Sequence, residues 1–221
     1  MKKTTLKIAL STLLFSAVSS SAYAIDGLSA NVAATSNYLW RGVEQTNGKA
    51  AISGGIDYSS NSGFYLGTWA SNADWADGMS YELDLYGGFA GDINEHLSFD
   101  VGFIYYAYPD ETSGDADFSE VYGSISFASL TLGLAVLTSG DGADAGDTLY
   151  ASADYAFAVT DDSDINFHLG SYSGDWLSED YIDYGVSFNK AGFTLGASAT
   201  DLDGAAGDMK VYVSYSIDID L

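Results

Sequence analysis

Between residues 28 and 220, apolar and polar residues alternate with a period of two in one run after another, and this pattern restricts the fold more than any other feature. A period of two is the signature of a β-strand with two chemically different faces, because successive side chains point to opposite sides. In "YELDLYGGF" (81–89), Tyr81, Leu83, Leu85 and Phe89 share one face, and Glu82, Asp84 and Tyr86 share the other. "LSFDVGF" (97–103) sets Leu97, Phe99, Val101 and Phe103 against Ser98, Asp100 and Gly102. Twelve such runs are predicted, at 28–42, 50–59, 64–72, 80–90, 97–107, 118–127, 130–138, 148–159, 165–172, 181–188, 193–200 and 209–220.

The links between runs alternate too. After even-numbered runs they are short, as in "SNSG", "AS" and "NKAG"; after odd-numbered runs they are mostly long and rich in Gly and Asp, as in "YPDETSGDAD" and "TSGDGADAGD". Short turns at one end and long loops at the other characterise outer-membrane β-barrels. The fold class expected is an all-β, antiparallel, up-and-down transmembrane barrel of about twelve strands.

A soluble sandwich can also alternate, so the two faces must be read separately. Tyr58, Phe89, Phe127, Phe157 and Phe188 are the last apolar-face residues of five strands approaching the short turns, and Phe64 and Phe193 begin strands at the same level. Aromatics at one height on an apolar face form the girdle expected at a lipid–water boundary. The opposite face carries Asp57, Glu82, Asp84, Asp100, Glu120, Asp154 and Asp183 with almost no Lys, which suits an enclosed polar lumen better than a solvated exterior mixing both charges.

Residues 1–24, "MKKTTLKIALSTLLFSAVSSSAYA", have a basic start, a short apolar run and an Ala-Tyr-Ala end, the layout of a cleaved secretory signal peptide. The expected organisation is a signal peptide over 1–24 and one barrel domain over 25–221, exported to the bacterial outer membrane. The mature chain holds four basic residues, Arg41, Lys49, Lys190 and Lys210, against 31 acidic ones, a formal charge of −27. That balance excludes nucleic acid as a partner, since phosphate binding needs clustered Lys and Arg. There is no cysteine, so neither a disulfide nor a Cys lipid anchor after the signal is expected.

Four segments, "SNYLWRGVEQTNGKAAISGGIDYSSNSGFYLGTWASN" (36–72), "YELDLYGGFAG" (81–91), "YYAYPD" (105–110) and "SEVYGSISF" (119–127), together resemble the TorF-type porins, small outer-membrane proteins of Gram-negative bacteria. The resemblance spans most of the mature chain and is strongest over 31–127. It implies an outer-membrane barrel with a pore role; no cofactor is expected. The chain ends "IDIDL" rather than in the aromatic residue usual for such barrels.

Parity assigns Tyr38 and Trp40 to the lipid-facing boundary and turns Arg41 inward, beside Lys210 on the adjoining last strand. A wall bearing Arg41 and Lys210 would then face Glu82, Asp84, Glu120 and Asp183 across the mouth. Twelve tilted strands about 4.8 Å apart enclose a backbone diameter of roughly 24 Å. Inward Tyr65, Trp69, Tyr86, Tyr106, Tyr122 and Tyr150 reduce it, so a narrow passage for small solutes or ions is expected, with cations favoured by the carboxylates. The alternative is a closed structural or surface-interaction barrel.

Two further constellations carry reactive or metal-binding residue types. Asp154 falls opposite His168, with Ser152 nearby, types that can form a nucleophilic triad; the set faces the lumen without an oxyanion loop, and no enzyme activity is expected. The loops "SGDGADAGD" (139–147) and "DLDGAAGD" (201–208) offer carboxylates to divalent cations shared with surface lipopolysaccharide, though neither matches an EF-hand. Outer-membrane lipid is the remaining partner expected.

Overall fold

The structure, a computed structural model, describes residues 17–18, 25–112 and 116–221. Most of the expected signal peptide lies outside the described residues; Ala17–Val18 pairs in parallel with Asp218 and Ile219.

Twelve antiparallel strands follow in chain order: β1 (Leu28–Thr35), β2 (Ala51–Ser59), β3 (Phe64–Asn72), β4 (Tyr81–Asn94), β5 (Leu97–Ala107), β6 (Phe118–Phe127), β7 (Leu130–Gly140), β8 (Thr148–Thr160), β9 (Ser163–Gly174), β10 (Tyr181–Lys190), β11 (Phe193–Thr200) and β12 (Lys210–Asp220). Each pairs with its sequence neighbours, and β12 closes on β1 from Ser214↔Thr35 to Asp220↔Ser29. The sheet therefore has no free edge, which satisfies the backbone groups of every strand that lipid could not solvate. The strand count agrees with the alternation. Several strands extend further into the short turns than the hydrophobic pattern does, β4 to Asn94 and β8 to Thr160.

Burial is inside out. Phe127 is 61% exposed and Leu195 57%, whereas Glu82, Glu120 and Asp183 are each 1% exposed. A water-soluble protein would invert that distribution. The expected girdle residues point outward: Phe64 pairs with Phe89, Phe157 and Phe188 both flank Ile165, and the Phe193 and Tyr215 rings lie 4.4 Å apart. Phe127 borders the same turn level, and Tyr58, half-buried, pairs with Leu28.

Inside, several tyrosines lie across glycines of the neighbouring strand. A Cβ on Gly102 would stand 2.4 Å from the Tyr122 hydroxyl, and one on Gly67 would stand 2.6 Å from the Tyr86 ring. An aromatic ring covering a strand glycine restores packing that the missing side chain forfeits. The rings thus lie along the wall, and they narrow the bore less than upright side chains would.

One expected element differs. β1 stops at Thr35, not at residue 42, and the chain turns into the barrel. There Leu39–Trp40 and Val43–Glu44 form a two-stranded hairpin, with Leu39 paired to Glu44 and Trp40 to Val43. Its turn residues, Arg41 (φ 48°) and Gly42 (φ 79°), are both left-handed, as a two-residue type I′ turn requires. A second tight turn follows at Asn47 (φ 50°) and Gly48 (φ 70°), closed by Lys49 N–H donating to Thr46 O at 3.0 Å.

A candidate gate in the lumen

The inner hairpin places Arg41 on the barrel axis side of the wall rather than on β1. Its guanidinium donates to both oxygens of Glu120 on β6, Nη1 to Oε1 at 2.9 Å and Nη2 to Oε2 at 2.7 Å. The two side chains are 7% and 1% exposed. Paired, planar charge-assisted bonds of this kind are the strongest polar contacts a protein makes. Three aromatic rings stack around the cation, Trp40 and Tyr150 with centroids at 4.2 Å and Tyr172 at 4.5 Å. β6 stands five strands from β1 in the ring of twelve, nearly opposite, so the hairpin crosses the mouth.

Its flanks pack on the remaining wall. Trp40 meets Tyr106, Phe118 and Tyr172 edge-on at 5.8–5.9 Å. Tyr38 packs against Trp69 and donates from its hydroxyl to Glu82 at 3.2 Å. A Cβ on Gly42 would meet Thr200 at 2.6 Å and Asp183 at 2.8 Å, so only glycine allows this approach. The loop-end side chains Met79, Tyr108, Trp75 and Trp176 close over this cluster.

Three expectations are thereby corrected. Tyr38 and Trp40 face the interior, not lipid, because the hairpin leaves the sheet before reaching them. Arg41 does not sit beside Lys210, whose Nζ instead donates to the carbonyls of Ala205, Ala206 and Asp208 at 3.2, 2.7 and 2.9 Å. No basic wall therefore lines one side of the mouth; a single guanidinium bridges it.

Below the hairpin the inward residues form hydrogen-bonded sets. Tyr65 hydroxyl donates to Asp100 at 2.6 Å and lies 2.5 Å from the Tyr122 hydroxyl. Tyr86 donates to Asp57, and Tyr106 to Glu120 at 3.3 Å. Asp84, inward on β4, keeps one carboxylate oxygen without a partner, as does the indole N–H of Trp69 across from it.

The register sets His168 opposite Asp154, in agreement with the alternation. Its Nδ1 lies 2.6 Å from Asp154 Oδ1 and its Nε2 2.7 Å from Asp183 Oδ1, with the Tyr150 hydroxyl 3.0 Å from Nε2. The nitrogen a nucleophilic serine would need is thus occupied by a carboxylate, and Ser152 pairs across the sheet with Gly170. The arrangement braces a wall.

Outside the membrane-spanning strands, the loop end carries a second latch. Lys49 Nζ reaches Asp74 Oδ2 at 2.5 Å, and the hydrogen bond and charge of Lys49 hold the Asp74 carboxyl below its ordinary range. The backbone of Asp74 also donates to Gln45 O at 2.8 Å, tying the hairpin to the β3–β4 loop. Among the described residues no three His, Cys, Asp or Glu side chains converge as metal ligands, including those of 139–147 and 201–208.

The fold has solved counterparts. The KdgM porin is similar over 87% of this chain and 99% of its own, at 10% identity and a TM-score of 0.57. The KdgM porin in complex with disordered oligogalacturonate is similar over 88% of this chain and 98% of its own, at 12% identity and a TM-score of 0.50. No curated protein matches the sequence. Closed ring, inverted burial and counterpart barrels agree with a family match over residues 17–218, and by that match the chain belongs to the family described as "Bacterial protein of unknown function (Gcw_chp)".

Proposed function

We propose that the protein is a narrow, cation-preferring outer-membrane channel whose mouth is gated by the 36–49 hairpin. The observation that carries this reading is the bidentate Arg41–Glu120 bridge across a lumen lined otherwise by carboxylates. A structural plug needs only apolar packing, whereas a paired charge in the bore sets both aperture and field. With Arg41 neutralised by Glu120 and His168 set between Asp154 and Asp183, the carboxyl groups left along the path are mainly Asp57, Glu82, Asp84 and Asp100. Cations would be admitted and a polyanion such as the oligogalacturonate carried by the KdgM complex would be repelled.

The porin fold, the outward aromatic level and the TorF-type resemblance of residues 31–127 support residence in the bacterial outer membrane, with lipid and lipopolysaccharide around the barrel. The packing of Trp40 among Tyr106, Phe118 and Tyr172 favours a second reading, a barrel held shut as a structural or surface element, whose acidic loops meet divalent ions. Planar-bilayer recording separates them. Small cation-selective steps that widen on Arg41→Ala support the channel; an absence of conductance over many insertions of wild type and variant leaves the closed barrel.

A further inference from the structure

At the turn end of the lumen, three neighbouring strands place carboxyl and amide oxygens on one stretch of wall, and among the described residues no cationic side chain pairs with them. Asp218 of β12 and Asn31 of β1 are direct cross-strand partners, and Asp57 lies on β2 beyond them. Asn31 and Asp218 are each 9% exposed, Asp218 with Ala17 of the expected signal peptide paired beside it. Asn31 Nδ2 donates to Asp57 Oδ2 at 3.3 Å, which leaves its amide oxygen outside that contact. Asn31 Oδ1 and Asp218 Oδ1 both lack a hydrogen-bond partner.

Turning the amide over does not resolve this. An amide has one donor end and one acceptor end, so between two carboxylates one contact is always acceptor against acceptor. Asp218 also lies within electrostatic reach of Asp57 and Asp220. No Lys, Arg or His among the described residues forms an ion pair with Asp57, Asp218 or Asp220. Tyr86, the other titratable group touching the set, donates its hydroxyl to Asp57. Buried unpaired acceptors and uncompensated carboxylates each cost free energy unless something positive sits among them.

We propose that Asp218, Asn31 Oδ1 and Asp57 form a site for one hard divalent cation of the Ca²⁺ or Mg²⁺ class at the turn end of the barrel. The donor set is all oxygen, as such ions require, and two carboxylates balance the double charge. The site is separate from the acidic loops and does not depend on whether the barrel conducts.

The test is calorimetric titration of the chelator-treated, detergent-folded full chain with Ca²⁺ and with Mg²⁺ at pH 7. Wild type is expected to take up one ion at this site. Asp218→Asn supplies the missing donor and removes a charge, so it should weaken that uptake at least about tenfold, while Asn31→Asp should tighten it. The loop variant Asp144→Asn with Asp147→Asn should leave it unchanged. Should Asp218→Asn misfold on a heat-shift gel, the Asn31→Asp direction alone decides. Uptake indifferent to both lumen variants would assign the ion to the loops, and no uptake by wild type would mean that Asp218 holds a proton instead; either result overturns the site.

Discussion

Arg41 and Glu120, 79 residues apart in sequence, are joined by two hydrogen bonds of 2.9 and 2.7 Å that span the barrel from the β1–β2 connection to β6. Removing one partner strands a buried charge. Arg41→Ala or Glu120→Ala should destabilise the barrel by about 3–5 kcal/mol. Arg41→Lys should recover only part, because a point-charge ammonium cannot reproduce the fork. Urea unfolding of vesicle-inserted protein reads this directly, and equal stability of Arg41→Ala and wild type would contradict the bridge.

The inverted burial predicts an asymmetry between faces. Leu134 lies mid-strand on the outward face of β7, 55% exposed. Leu134→Arg should cost about 2–4 kcal/mol in a bilayer. Ala135→Ser, buried on the inward face one residue on, should cost less. The same unfolding assay compares the two, and a reversed order would mean that the apolar side does not meet lipid.

Tyr122 rests over Gly102, where an added Cβ would also stand 2.9 Å from the Gly87 carbonyl oxygen. Gly102→Ala must therefore push the ring off the wall, at a cost of about 1–3 kcal/mol. The displaced ring also enters the bore, so single-channel conductance should fall rather than rise. Combining Gly102→Ala with Tyr122→Ala should restore conductance.

The loop latch between Lys49 and Asp74 predicts a pH response outside the membrane. A carboxyl held below its ordinary value contributes above the unfolded pKa of about 4, and loses that contribution as pH falls through the depressed value. The Asp74 carboxyl carbon, followed by NMR in micelles, should titrate below the ordinary aspartate range, and Lys49→Ala should raise it. If the Asp74 midpoint is the same in Lys49→Ala as in wild type, the latch does not form in solution.

Alternation was enough to place every barrel strand and to assign Glu82, Asp84, Asp100 and Asp154 to one face and Phe89, Phe127 and Phe188 to the other, because in a closed sheet a residue's facing follows from parity alone. The same parity misplaced Tyr38 and Trp40. "LWRGVEQTNGK" alternates like the strand before it, yet holds two glycines, Gly42 and Gly48, the second in an Asn-Gly turn signal. Reading those would have ended β1 earlier and freed the segment to fold inward.

No local pattern could pair Arg41 with Glu120 or Asn31 with Asp218. These contacts cross the bore or join strands that meet only when the ring closes, and they depend on shear and on the depth to which the hairpin descends. The sequence by itself determined a lipid-facing barrel with an acidic interior, since period, turn length and charge are local properties. Only the tertiary structure decided that the lone arginine bridges the mouth, because closure converts positions along the chain into distances across a circle.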